Sequence, residues 1–162
     1  MIKGFLTNLA DYNNGMLNGK WITFPLAEDE IEKIFIELNI DEEHEYFFTD
    51  WETELEYNFG EYENIFSINE IAEELESVDI DHLNAYLEAY GTDYRKGLSY
   101  AIDRYEDYAF RPNADLLDIA YEIVEECYDL PEFATRYFDY EAFARDLSYD
   151  GYVETSYGVI YE

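Results

Sequence analysis

The stretch EYFFTDWETELEYNFGEYE (residues 45–63) interleaves aromatic residues with carboxylates and contains no Lys or Arg. Its first part, EYFFTDWE (45–52), has the aromatic composition of a β-strand. Because strand side chains alternate between two faces, a strand through this stretch places four acids on one face: Asp50, Glu52, Glu54 and Glu56. Like charges in such a row repel one another, so the row does not stabilise the strand. The stretch therefore predicts a strand whose carboxylate face serves something other than folding.

The segments before this stretch predict a small mixed domain. IKGFLTNL (2–9) and GKWITFP (19–25) have strand composition, and the turn-rich DYNNG (11–15) separates them. AEDEIEKIFIEL (27–38) carries apolar residues at helical spacing, which predicts an amphipathic helix ahead of the strand at 45–52. The predicted order is strand, strand, helix, strand.

The middle of the chain has the periodicity of helices. Ser67 and Glu70 have the spacing of a capping box ahead of an apolar stripe, which predicts that a helix begins there. Asp79 or Asp81 is placed to cap the next helix, and Gly91 is placed to end it.

The last third mixes both kinds of element. YAFRP (108–112) predicts a short strand that ends at its proline, and Asn113 is predicted to cap a helix that continues to about Tyr128. Two shorter helices are expected after Pro131. The alternating segment 151–162 predicts a hairpin at the end of the chain.

These patterns predict an α+β protein built as an elongated chain of three small subdomains. The N-terminal subdomain, 1–62, is a small β-sheet with a helix. The central subdomain, 63–104, is helical. The C-terminal subdomain, 105–162, is again a mixture of helices and strands.

The composition indicates a folded and very acidic protein. Its 40 Asp and Glu against 9 Lys and Arg give a net charge of −31. Aromatic residues make up 19% of the chain, whereas acidic disordered chains are poor in aromatics. Duplex DNA carries one negative charge per roughly 1.7 Å, so the same charge occupies about 53 Å of duplex. The charge suggests a basic partner, although composition alone does not select one explanation.

The acids are concentrated where cations are missing. Residues 34–94 contain 19 acids and neither Lys nor Arg. A solvated surface ordinarily mixes both signs, so either salt adaptation or a basic target groove accounts for this segment. We define the candidate acidic surface as the strand row, its following loop and two helical stripes: Asp50, Glu52, Glu54, Glu56, Glu61, Glu63, Glu70, Glu73, Glu74, Asp115, Asp118, Glu122 and Glu125.

Motifs of the common catalytic classes are missing, namely GxSxG, the Walker loop, HExxH and CxxC. His44 and His82 lie in different predicted elements without zinc-type spacing, and Cys127 is interpreted as a packed thiol on an inward helix face. DYNNGM (11–16) does not fit the EF-hand calcium loop. The sequence therefore predicts no enzyme, no catalytic residues, no metal site and no cofactor. A carboxylate hydrolase or calcium-binding module stays as an alternative that would need a few individually essential acids.

The expected compartment is the cytoplasm. A single cysteine excludes an intrachain disulfide and fits a reducing environment. Neither a signal-peptide pattern nor an 18-residue apolar run is found, and anionic lipid heads repel so acidic a surface. No membrane partner is predicted.

Two stretches resemble the ArdA antirestriction proteins. NLADYNNGMLNGKWITFP (8–25) is similar to the opening of that family, with its Asn-Leu, Tyr-Asn, Gly and Trp-x-x-x-Pro elements. LPEFATRYFDYEAFARDLSYDG (130–151) resembles the C-terminal antirestriction motif of the family, including Tyr-x-Asp-Tyr and Arg-Asp-Leu. The residues that carry this likeness are Leu130, Pro131, Tyr137, Asp139, Tyr140, Arg145, Asp146 and Leu147.

The resemblance implies a DNA mimic that occupies the DNA-binding groove of type I restriction–modification enzymes and blocks DNA binding and cleavage. Such proteins are typically encoded on plasmids and conjugative transposons. The resemblance also implies an elongated homodimer that binds no nucleic acid and whose contact lies in the C-terminal part. We place that contact at the aromatics that exceed what a short helix needs for its own core: Tyr137, Phe138, Tyr140 and Phe143. Whether modification is blocked along with cleavage is left open.

An acidic sequestering or chaperone protein for basic DNA-binding proteins is the alternative. It would bind free basic proteins without regard to a DNA-binding groove. In both cases Lys and Arg of the partner meet carboxylates where they ordinarily meet phosphates.

Overall fold

The computed structural model of the chain describes residues 1–41, 45–92 and 97–162. Within these ranges it has eight α-helices, two short 3₁₀ turns and six strands. His44 lies outside the described residues, so its predicted lack of a metal role stays a prediction.

The chain forms two compact units, Met1–Val78 and Asp79–Glu162. Each described unit combines helices with one small antiparallel sheet, which confirms the α+β class. The predicted division into three subdomains is not confirmed.

The described residues of the first unit form three strands and three helices. Its elements are β1 (Ile2–Asn8), α1 (Leu9–Asn13), β2 (Gly19–Phe24), α2 (Glu28–Glu37), β3 (Tyr46–Thr53) and α3 (Ile65–Glu74), with a 3₁₀ turn at Leu75–Ser77.

The sheet of this unit has the order β2-β1-β3. Its buried side chains pair across strands, as where Ile2 lies opposite Phe24 of β2. The rings of Phe48 and Trp51 cover Gly4 so closely that a Cβ there would lie 2.8 Å from both. Only glycine fits at this point of β1.

Helix α1 occupies the first part of the predicted turn at 11–15, and residues 14 and 15 form a turn after it. Asn8 caps α1 by accepting from the Asp11 amide at 3.0 Å, and its own amide donates to the carbonyls of Leu38 and Asn39. Asn8 is almost fully buried, and these bonds satisfy its polar atoms. The cap therefore joins the end of β1 to the end of α2.

The start predicted at Ser67 for the first helix in the middle of the chain was wrong. Helix α3 begins at Ile65, and its cap is Asn64, whose side chain accepts from the amides of Phe66 and Ser67. Asn caps a helix as well as Ser does, and this start places Ile65 and Ile68 in the core. Ser67 accordingly lies inside the first turn.

In the second unit, the part of the chain that the structure describes forms five helices and three strands. Its elements are α4 (Ile80–Tyr90), α5 (Gly97–Arg104), a 3₁₀ turn (Tyr105–Asp107), β4 (Ala109–Pro112), α6 (Leu116–Cys127), α7 (Glu132–Thr135), α8 (Tyr140–Leu147), β5 (Val153–Thr155) and β6 (Gly158–Tyr161).

The second sheet has the order β4-β6-β5, so the predicted terminal hairpin is confirmed. Asp79 caps α4 through the His82 amide and Gly91 ends it at φ 67°, both as predicted. A core of five buried residues joins α6, α8 and β6: Ile119, Ala120, Ala144, Leu147 and Val159.

Two predictions about α6 were wrong. Its cap is Asp115, not Asn113, which adopts φ 58° and donates its amide to the Tyr157 carbonyl at 2.9 Å. The hairpin therefore holds Asn113 outside the helix. Cys127 is exposed at the helix end, because the buried stripe of α6 is formed by Ile119, Ala120 and Val124 instead.

Candidate acidic interaction surface

The carboxylate row that follows Phe48 is exposed. Strand β3 ends at Thr53, so Asp50 and Glu52 lie in the strand and Glu54 and Glu56 lie beyond it. The alternation continues past the strand end, since all four acids are exposed while Leu55 between them is buried.

Glu52 and Glu54 of this row pair with cations from the start of the chain. Lys3 lies opposite Glu52 in the sheet register, and its Nζ is 3.1 Å from Glu52 Oε2. The amino group of Met1 pairs with Glu54. Lys3 lies in β1 and Met1 comes directly before it, which is why the local sequence around 50–63 shows neither cation.

Glu63 differs from the rest of the candidate acidic surface. It is half-buried, and its Oε1 accepts the Gly60 amide at 2.9 Å, which closes the loop after Phe59. Burial, together with the negative charge of Glu63, raises the pKa of Tyr57. Glu63 therefore has a structural role, whereas Glu61 beside it is exposed.

The acids of α3, Glu70, Glu73 and Glu74, are exposed on the helix. Glu73 accepts from the side-chain amide of Asn69 at 3.0 Å. Asn69 also bonds both the amide and the carbonyl of Leu26, so Glu73 helps to orient a link between α3 and the segment before α2.

The α6 stripe of Asp115, Asp118, Glu122 and Glu125 is exposed as predicted, and three of its acids also bond within the fold. Asp115 Oδ1 accepts the Asp118 amide at 2.8 Å, and Asp118 Oδ2 accepts the Asp115 amide at 3.1 Å. This capping box places two negative charges at the positive end of the helix dipole. Arg111 Nε lies 3.4 Å from Glu122 Oε2.

Twelve of the thirteen predicted surface acids are exposed, and Glu63 alone is half-buried. Exposed ion pairs are worth about 0–1 kcal/mol, so pairs such as Lys3–Glu52 leave the carboxylates available to a stronger cationic partner. Across the chain, the net charge of −31 leaves most acids without a matching Lys or Arg.

The aromatic residues predicted for a dimer contact fall into two environments. The ring of Phe138 meets those of Tyr140 and Phe143 edge-on, with centroids 4.9 and 5.8 Å apart. All three side chains are half-buried. Tyr140 also stacks on Tyr121 at 4.1 Å. Tyr137 is instead 76% exposed.

Phe133 was missed by the sequence analysis. It is 75% exposed, and its ring lies 5.0 Å from that of Tyr137. Phe133 lies in α7 and Tyr137 in the turn that follows, and a spacing of four residues, about one helical turn, could have signalled this pair. Phe133 and Tyr137, the exposed aromatic pair, form an apolar patch beside α7.

The residues of the antirestriction-like motif help to build α7 and α8. Pro131 precedes α7 as its cap residue, and Asp139 caps α8 by accepting the Ala142 amide at 2.9 Å. Leu147 is buried in the core. Arg145 and Asp146 are exposed, and Arg145 Nε lies 3.8 Å from Asp146 Oδ1. Leu130 is half-buried ahead of α7.

Among the residues that the structure describes, no three His, Cys, Asp or Glu side chains lie close enough to hold a metal ion. None of the helices in the described ranges is long and apolar enough to cross a membrane.

The fold and surface define an acidic α+β protein whose carboxylates face solvent on both units. The sequence model of the ArdA antirestriction proteins matches residues 5–161, nearly the whole chain, and the chain belongs to this family. The resemblance seen in the sequence is thereby confirmed, and with it an antirestriction function. A comparison with curated proteins gives no match.

Proposed function

We propose that the chain is a DNA mimic that occupies the DNA-binding groove of type I restriction–modification enzymes. Bound there, it prevents the enzyme from binding and cleaving DNA, and modification, which needs the same bound DNA, is expected to be blocked as well. The chain itself is not an enzyme in this proposal, and it needs neither a cofactor nor bound nucleic acid.

The observation that carries this proposal is the exposure of the candidate acidic surface in a member of the ArdA family. Twelve exposed carboxylates, distributed over β3, its following loop, α3 and α6, offer acceptors to a groove lined by Lys and Arg. A groove that binds DNA recognises phosphates mainly through such cations, without regard to base sequence.

The proposed inhibitor is a homodimer that acts in the cytoplasm, where it would protect incoming plasmids or conjugative transposons. The exposed aromatic pair supports a contact in the C-terminal part, because two large adjacent rings there are mostly exposed. Of the four aromatics predicted for this contact, Tyr137 is the most exposed. In this proposal it contacts the second copy, and the half-buried Phe138, Tyr140 and Phe143 pack against one another within the chain.

A competition titration tests the proposal. The full chain is added to a type I enzyme bound to labelled cognate DNA, at about 50 mM and about 200 mM salt, concentrations between which phosphate-type contacts weaken strongly. Stoichiometric displacement that weakens with salt is expected. DNA that stays bound at low salt would contradict the proposal.

The sequestering alternative is tested by a parallel titration. A small basic DNA-binding protein without an enclosing groove replaces the restriction enzyme, with protein concentrations and salt unchanged. The proposal predicts much weaker binding to this protein. Equal affinity for both would favour sequestration.

A further inference from the structure

A hollow of 380 Å³ opens on the first unit between the end of α2, the start of β3 and the start of α3. Its walls are aromatic and aliphatic: Phe35, Ile40, Tyr46 and Tyr62. Ligand sites range from about 300 to 1,000 Å³, so this one suits a single side chain or a small molecule.

The walls are held in place by the fold. The Tyr46 hydroxyl accepts the Ile65 amide at 3.1 Å, and the Phe35 ring lies 5.4 Å from that of Tyr46. Tyr62 is 74% exposed and stacks on Phe47 at 6.2 Å. A guest would therefore meet aromatic faces that are already positioned.

Carboxylates line the same hollow. Asp41, Glu45 and Glu63 are among its lining residues, and none of the described residues that line it is a Lys or Arg. The start of α3 contributes about half a positive charge, and its first amides already donate to Asn64 and to the Tyr46 hydroxyl. Three carboxylates outweigh that partial charge, so the hollow favours a cation.

A guanidinium matches this combination better than an ammonium does. It is flat, weakly hydrated and able to stack on an aromatic ring, while its N–H groups bond carboxylates in pairs. An ammonium is compact and strongly hydrated, so it gains less from aromatic walls.

We infer that this hollow binds an arginine side chain of the protein that the chain inhibits, an inference that rests on the proposed function. The aromatic rings that would contact the arginine carry no net charge. Their contact therefore adds affinity that salt does not remove, in contrast to the exposed carboxylates.

The first test uses the full chain and the probe N-acetyl-arginine methylamide, with the uncharged citrulline compound and the lysine compound for comparison. Ring signals of Tyr46, Tyr62 and Phe35 are followed by NMR in about 0.3 M salt, which screens weak surface association. We expect saturable shifts at these rings with the arginine compound and much weaker binding of the other two. Non-saturable shifts spread over the acidic surface, or equal binding of the lysine compound, would overturn the inference.

Matched variants locate the probe. Tyr62→Ala should weaken arginine binding about two- to fivefold, the range expected for an exposed cation–π contact, and Tyr62→Phe should retain it. Tyr149→Ala is the control, since Tyr149 is 80% exposed in the other unit. Glu45→Gln should weaken binding, while Glu76→Gln, outside the hollow, should not. Loss of binding in the controls, or full binding in Tyr62→Ala, would contradict the assignment.

The second test separates this inference from the proposed function. In the DNA-displacement titration, Tyr62→Ala should lose the same factor of affinity at low and at raised salt. If the wild-type chain displaces DNA but Tyr62→Ala is unimpaired, the arginine contact is refuted and the proposed function stands. If the wild-type chain displaces no DNA, the proposed function fails, and with it the assignment of the hollow to that partner.

Discussion

The imidazole of His82 lies nearly parallel to the ring of Phe110, with the ring centroids 5.0 Å apart. Tyr105 meets the same imidazole edge-on at 5.0 Å. His82 Nε2 is buried and finds no hydrogen-bond partner among the described residues. Burial lowers the pKa of His82, and this effect outweighs the carboxylates of Asp79 and Glu106 and a backbone hydrogen bond at Tyr108, which act in the opposite direction.

This lowered pKa predicts that acidification destabilises the second unit. Unfolded His82 takes up a proton near pH 6.5, whereas the folded chain resists protonation until a lower pH. The stability that neutral His82 contributes is therefore complete above about pH 6.5 and is lost as the pH falls through the folded pKa. Denaturant unfolding from pH 7.5 to 5 should show a steeper decline for the wild type than for His82→Phe. Parallel curves for the two proteins would show that His82 does not titrate differently on folding.

The capping box of α6 predicts an unequal response to loss of two acids from the same stripe. Asp115→Ala should lower the free energy of unfolding by about 1 kcal/mol, because the Asp118 amide loses its acceptor. Glu125→Ala, at an exposed position of the same helix, is the matched control and should change stability little. Equal losses in thermal or denaturant unfolding would argue against a capping role for Asp115.

Gly158 is predicted to be intolerant of any side chain. A Cβ there would lie 2.1 Å from the Arg111 carbonyl oxygen, at φ +143°. Gly158→Ala should cost roughly 2–5 kcal/mol, from backbone strain and overpacking together. Gly151→Ala has a positive φ of +96° without a neighbour within 4 Å, so it isolates the backbone contribution and should cost less. Similar unfolding midpoints for the two variants would contradict this reasoning.

The proposed dimer contact at the exposed aromatic pair predicts where the dimer can be disrupted without unfolding the chain. Tyr137→Asp should shift the mass measured by light scattering from dimer to monomer and leave the melting temperature nearly unchanged. Tyr140→Asp should instead lower the melting temperature, because Tyr140 stacks on Tyr121 and packs against the core of α6 and α8. Tyr149→Asp is the control for an added charge at an exposed tyrosine. An unchanged mass for Tyr137→Asp would refute the contact.

Inhibition is predicted to depend on many acids, each weakly. Asp118→Asn should reduce affinity for the restriction enzyme less than about fivefold, since an exposed pair is worth about 0–1 kcal/mol. Neutralising Asp118, Glu122 and Glu125 together should lower both the affinity and its dependence on salt. A tenfold loss from Asp118→Asn alone would instead indicate a discrete site, as the hydrolase or calcium alternative requires.

The features that the sequence predicted correctly are those set by local chemistry. Strands and helices follow from periodicity and from caps such as Asp79, and the exposure of the acids follows from the cost of burying charge. The sequence did not show which of two neighbouring residues caps a helix. Asn64 caps α3 in place of Ser67 because this start lets the helix bury its apolar face. Asn113 does not cap α6 because its amide donates to the Tyr157 carbonyl.

The features that the sequence did not reveal depend on contacts between distant segments. Lys3 and Glu52 are 49 residues apart and meet only because β1 pairs with β3 in one register. The half-buried state of Tyr140 likewise requires α6 and α8 to pack together. The sequence marked the C-terminal aromatics as candidate contact residues. Only the tertiary structure distinguishes those that pack in the core from those that are exposed.

The order β2-β1-β3 has a consequence for aggregation of this chain through strand addition at a sheet edge. It leaves β3 as an outer strand, and outer strands expose backbone groups to which another copy can add a strand and so begin aggregation. Here the Phe48 amide is already occupied by the Glu61 carbonyl, and Asp50 and Glu52 charge the remainder of the strand. In a chain so rich in aromatics, we expect the same carboxylates to keep the protein from aggregating through this strand.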